Sequence, residues 1–235
     1  MKRRRGQSDQ ITLIIIAGGA LILLGLALWI FWPKSNTKPL DIGGVVVTEI
    51  PKNAVVEWKD ATVAERLKQL KEQGMLRVFI GSTLGGSTLQ SETLYNVAAM
   101  DAREKVSKYI STVMKTFEQR AVGALSNVVT GDETKVQTLT TEVYKSVSKA
   151  MSKMTVMGSK VIAKYYVKAD GGYKFYVVML FDPEGALQAI QATAQLKDEI
   201  SALAKKYGAQ SKAVFEAIND VFKEAVKDTP LEEKK

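Results

Sequence analysis

The sequence predicts an α+β protein: an N-terminal single transmembrane helix followed by a small antiparallel sheet packed on long helices, with a helical C-terminal extension. Three observations carry this. Residues 11–32 contain no charged side chain. Leu94, Ala98, Ala102, Val106, Tyr109, Ile110, Val113, Phe117 and Ala121 recur at spacings of three and four, the period of one helix face. Two alternating segments flank Ala169-Asp170-Gly171-Gly172, a strong short-range hairpin signal. Helices and strands are segregated along the chain rather than strictly alternating, which favours α+β over a parallel α/β layout.

The elements follow in order. Lys2, Arg3, Arg4 and Arg5 precede the uncharged run, opposed only by Asp9. A run of 22 residues rising about 1.5 Å each spans about 33 Å, enough for a bilayer core. Ile11, Ile16 and Leu23 supply its apolar surface, and Trp29 and Trp32 suit the headgroup layer. The run leaves through Trp-Pro-Lys without a small-residue cleavage site, so an uncleaved anchor is expected rather than a signal peptide. The basic cluster keeps residues 1–10 in the cytoplasm and sets the topology. The expected location is the bacterial inner membrane, single-pass, with the C-terminal domain periplasmic.

Residues 33–40 read as a polar linker. Residues 41–182 read as the periplasmic α+β domain. Its first segments are extended stretches at 42–50 and 54–58, then a helix over 60–73 with Val63, Leu67 and Leu70 on one face. Thr62 and Glu65 have capping-box spacing, and Gly74 suits the helix end. A strand is expected at 75–80, a Gly/Ser-rich loop at 81–88, the dominant helix to about Leu125 and another ending near Met154. The hairpin occupies 156–168 and 173–181. Residues 183–235 form the helical extension: Asp182-Pro183 starts a helix running to Tyr207, Gly208 breaks it, and a last helix runs to Lys227. Val214, Ile218, Val221 and Phe222 give that helix an apolar stripe, which needs a surface of the chain itself or of a neighbouring subunit.

Composition narrows the chemistry. The 235 residues include no Cys and no His, which excludes thiol nucleophiles, disulfides, zinc fingers, histidine general bases and a lipidated cysteine. The net charge of +8 is unevenly placed: Lys2, Arg3, Arg4 and Arg5 cluster at the N-terminus, and the excess after residue 32 is mild and spread out, not a nucleic-acid footprint. Gly81 to Thr88 fits the spacing of a phosphate-binding loop, and residues 177–182 imitate an apolar strand ending in a magnesium-binding Asp. The lysine position is Ser87, however, and Asp182 has a complete role as a helix cap, so no nucleotide is expected. Asp41, Glu49, Glu57 and Asp60 are the early carboxylates, in no context that suggests a shifted pKa. Arg103, Glu104 and Lys105 read as solvated helix charges. Tyr165, Tyr166, Tyr173 and Tyr176 on the hairpin read as core plus rim. No enzyme, cofactor or metal is expected.

A Gly/Ser-rich loop, a long helix beginning near Ala98-Ala99-Met100-Asp101-Ala102-Arg103, a second helix and a hairpin ending in Tyr176-Val177-Val178-Met179-Leu180 resemble the twenty-kilodalton bacterial lipoprotein family, which includes a flagellar basal-disk protein, FlgP. The resemblance covers residues 76–182 and implies a structural role without catalytic residues. The expected function is a membrane-anchored periplasmic assembly subunit of a cell-envelope complex, with the flagellar motor as the setting the resemblance implies, homo-oligomeric or bound to other envelope subunits. The alternatives are a binding module for peptidoglycan or an outer-membrane partner, and a secretion-channel component.

Overall fold

A computed structural model describes residues 36–129, 133–154 and 158–231. The chain divides into two compact units, Met1–Lys38 and Pro39–Lys235. The second unit holds the four-stranded sheet and the C-terminal helices.

Strands β1 (Thr37–Ile42) and β2 (Val45–Pro51) form a two-stranded sheet. Gly43 and Gly44 make its turn with φ of 59° and 85°, a conformation that strongly favours glycine. Sequence reading took 42–50 as one extended stretch; the paired glycines fold it back instead. Strand β3 (Val55–Lys59) follows, then a single 3-10 turn, then helix α1 (Ala64–Glu72). The cap is Asp60 rather than Thr62: its carboxylate accepts from the Thr62 amide at 2.9 Å and the Thr62 hydroxyl at 2.6 Å.

The main sheet adds β4 (Arg77–Gly85), β5 (Ser159–Ala169) and β6 (Gly172–Phe181) in the order β3-β5-β6-β4, with every neighbour antiparallel. Bulges at Glu57 and Ile162 each place one extra residue opposite the partner strand. Helix α2 (Ser91–Ser126) lies on the face carrying Phe79, Gly81, Phe175, Val177 and Met179. The other face is covered as well: Tyr165, Ala163, Val178 and Leu180 are all buried.

The loop expected from Gly81 onward is strand through Gly85, fully paired with β6. The glycines are there for packing. A Cβ at Gly81 would collide with the Ala98 carbonyl and lie 2.5 Å from the Ala102 amide nitrogen, so α2 crosses β4 backbone to backbone. The small residues Ala98, Ala99 and Ala102 are the other half of that contact.

Helix α3 (Glu133–Met154) packs on α2, and α4 (Pro183–Gln191), α5 (Ala194–Lys206) and α6 (Ser211–Asp228) complete the layer. The helix expected to run unbroken to Tyr207 is two helices, because Thr193 adopts an extended conformation (φ −70°, ψ 127°). Val214, Ile218, Val221 and Phe222 are 0–4 % exposed: the stripe is covered by the chain itself, with α6 lying along α2. Arg77 fastens this junction. Its guanidinium donates to the Tyr109 hydroxyl (2.7 Å), to the Gly74 and Leu76 carbonyls and to the Val226 carbonyl, and Tyr109 donates to the same Val226 oxygen. The cation thus rests against carbonyls at the C-terminal ends of α1 and α6, the ends that attract positive charge.

Strand β4 is an edge, yet its middle is not open. Asp101 accepts from the Ser82 amide (2.9 Å), Lys105 donates to the Ile80 carbonyl (2.7 Å), and the two pair with each other at 2.8 Å. The helix thereby occupies the polar groups a further strand would use. Lys105 is therefore more than the solvated charge expected from sequence. Replacing both Asp101 and Lys105 by Ala should cost only about 1 kcal/mol. It should, however, produce concentration-dependent association in sedimentation velocity, through the uncapped edge.

The fold-class expectation is corrected in two respects. Among the described residues there are two sheets rather than one, and no helix is long and apolar enough to cross a membrane. The 36-residue α2 has the length, but it is amphipathic, with Glu92, Arg103, Glu104 and Lys108 on its outer side. Residues 11–32, including Ile11, Ile16, Leu23, Trp29 and Trp32, lie outside the described residues, as do Lys2, Arg3, Arg4 and Arg5.

Candidate functional site

Two clefts open beside α2. One, of about 570 Å³, runs along the β4 edge between Val78, Ile80, Tyr109 and Leu231 and is mostly apolar. The other, of about 510 Å³, lies near the opposite edge of the sheet, between the first turns of α2 and strands β3 and β5. The second carries the chemistry.

Its helical wall is a single stripe: Glu92, Tyr95, Asn96, Ala99 and Arg103, spaced as one face of α2. Its sheet wall presents Glu57, Trp58 and Lys164. The bulge at Glu57 re-aims β3 at this point, and Trp58 sits opposite Lys164 in register. Trp58 remains 41 % exposed on the edge strand, so its ring is available to the cleft.

Tyr95 is the notable residue. It is 2 % exposed, and its ring stands edge-on to Phe175 at 5.3 Å, with the Lys164 ammonium 5.4 Å from the ring centre. Its hydroxyl is buried without a hydrogen-bond partner among the described residues. Burial, with the adjacent Glu57 carboxylate, pushes its ionisation far up, so the group stays a neutral O–H. The Glu57 carboxylate lies beside it without making a hydrogen bond of normal geometry. Leaving such a group unsatisfied costs about 1–3 kcal/mol. Lys164 holds both oxygens of Glu92 at 3.0 and 3.1 Å, so that pair neutralises itself.

The carboxylates weighed from sequence do not converge. Asp41 is in β1, Glu49 in β2, Glu57 in β3, and Asp60 caps the turn before α1. Among the described residues no three acids form a metal-binding group. Asp60 departs from expectation: hydrogen bonds from Lys160 and Thr62 lower it from 3.8 to about 2. A depressed folded-state pKa contributes stability above the unfolded value and loses it as pH falls through the folded one. Thermal stability should therefore decline between about pH 4 and pH 2, and Asp60→Asn should flatten that part of the profile.

Asp182 fulfils the capping role expected of it, accepting from the Gly185 amide at 2.9 Å. It is also gripped by Arg66 through two 2.7 Å bonds, which tie α1 to the start of α4. Burial favours its neutral form, but the Arg66 and Gly185 hydrogen bonds prevail and keep it below the usual carboxylate range. Its oxygens are thus occupied by structural contacts. Tyr165 stacks flat on Tyr176 at 4.7 Å and is buried, while Tyr166 and Tyr173 meet edge-on at the half-buried rim.

Sequence reasoning did not single out Tyr95 or Trp58; Arg103 is the exposed helix charge it expected, and it also lines this cleft. The available signal was a tyrosine on the apolar stripe of α2, three residues before Ala98. Comparison of the chain with protein-family models, curated proteins and solved structures finds no match.

Proposed function

We propose that residues 39–231 form a binding module of the cell envelope, held at the bacterial inner membrane by the uncharged run at 11–32, that recruits the chain to peptidoglycan through the Tyr95 cleft. The observation that carries this reading is the buried, unpartnered Tyr95 hydroxyl in a cleft that also exposes Trp58. A buried donor without a partner among the described residues, facing a concave and half-polar site, is suited to a ligand oxygen or nitrogen. The tether and the periplasmic side rest on the sequence of residues 1–32, with its N-terminal basic cluster. The element order that resembles the twenty-kilodalton lipoprotein family supports an envelope setting. The assembly reading has less to stand on, because the stripe of Val214, Ile218, Val221 and Phe222 lies inside the fold.

Cosedimentation with purified cell-wall sacculi tests the proposal. The full chain in detergent should sediment with them, and Tyr95→Phe and Trp58→Ala should each reduce the bound fraction about tenfold, an effect of one lost polar or aromatic contact. Equal sedimentation of wild type and both variants would overturn it.

A further inference from the structure

The cleft has a length and a polarity, and these specify more than a polar ligand. Tyr95 and Arg103 are eight residues apart on one helix face, so their backbone positions are separated by about 12 Å along α2. Glu57 stands at the Tyr95 end, and Arg103 at the other. Neither Glu57 nor Arg103 is in an ion pair among the described residues, whereas the remaining charges of the cleft, Glu92 and Lys164, cancel each other. Trp58 and Ala99 contribute apolar lining to the space.

We infer that the cleft takes a short extended peptide bearing a free ammonium at one end and a free carboxylate at the other, the ammonium at Glu57 and the Tyr95 oxygen and the carboxylate at Arg103. An extended chain advances about 3.3 Å per residue, so three or four residues span the distance. The Tyr95 hydroxyl oxygen accepts from the ammonium while its own proton turns to the Glu57 carboxylate, which also supplies the countercharge. Arg103 presents the planar fork that suits a carboxylate. A neutral sugar leaves both end charges unanswered. This inference rests on the binding reading above; in a peptidoglycan stem peptide the α-amine is acylated by the sugar's lactyl group, so the free ammonium there is the side-chain amine of the diamino acid.

Calorimetric titration of the full chain in detergent micelles decides it. The probes are trialanine and tetra-alanine with free termini, the same peptides N-acetylated and C-amidated, and N-acetylglucosamine. The free peptides should bind, and blocking the ends should weaken binding about tenfold or more. Glu57→Gln should lose preference for the free amine and Arg103→Ala for the free carboxylate, each with the thermal midpoint of the wild type, since both side chains are exposed. Free peptide should also displace the chain from sacculi, as expected when the wall is held through the same cleft. If sacculi bind through Tyr95 while free and blocked peptides behave alike, or only the sugar binds, the peptide assignment fails and the binding reading stands. If neither peptides nor sacculi bind, both fail.

Discussion

Ile218→Asp combined with Phe222→Asp should abolish the cooperative thermal transition of the folded unit. Both side chains are buried, at 2 % and 1 % exposure, on the face of α6 that lies along α2. Each substitution removes an apolar anchor and places a carboxylate where it has no countercharge, at a cost on the order of 4 kcal/mol or more. Two such changes are comparable with the entire stability of a domain, about 5–15 kcal/mol. Circular dichroism should show lost helix content and no sigmoidal melt. A chain ending at Asp182 should fare no better, because it loses the cover over α2 and the Val226 carbonyl that Arg77 and Tyr109 share. A double variant that melts like wild type but changes its oligomeric state would instead place the stripe at a subunit interface.

The second large effect is at Gly81. Gly81→Val adds a branched side chain where even a Cβ meets the Ala98 carbonyl and the Ala102 amide. The obstruction is backbone on both counts, so no side-chain rotation relieves it. Helix α2 must lift off β4, which breaks the alanine packing and draws Asp101 and Lys105 away from Ser82 and Ile80. The expected loss is about 3 kcal/mol or more in chemical denaturation, above the usual range for a strand substitution. Gly86→Val is the internal comparison: nothing lies within 4 Å of its Cβ, and it should be nearly neutral. Equal effects at the two glycines would mean that the segment acts as a loop, as its sequence first suggested.

These residues also show what a sequence can convey. The period of α2, the hairpin at Asp170-Gly171-Gly172 and the Asp182-Pro183 helix start were legible because each is local: spacing, turn chemistry and capping involve neighbours in the chain. The extent of β4 was not, since Gly81 and Gly85 carry the composition of a loop and only the approach of α2 explains them. The β1–β2 hairpin was read as one stretch, because a glycine pair between β-branched residues marks either a turn or a bulge. The cleft was the least legible part. Glu57, Tyr95 and Arg103 come from a strand bulge and two positions on a helix, and each looks ordinary alone. Antiparallel register and the placement of α2 over the sheet bring them together, and neither is encoded by spacing.

The hydrogen bonding of the Tyr95 hydroxyl can be measured without any ligand. Thermal and denaturant unfolding of the full chain and of Tyr95→Phe should give equal stability or a gain of about 1 kcal/mol in the variant, because the substitution deletes a buried hydroxyl that has no partner among the described residues and leaves the ring packing against Phe175 intact. A loss of about 1 kcal/mol or more would mean that the hydroxyl already has its hydrogen bond within the chain, and that the cleft holds no unfilled place for a ligand.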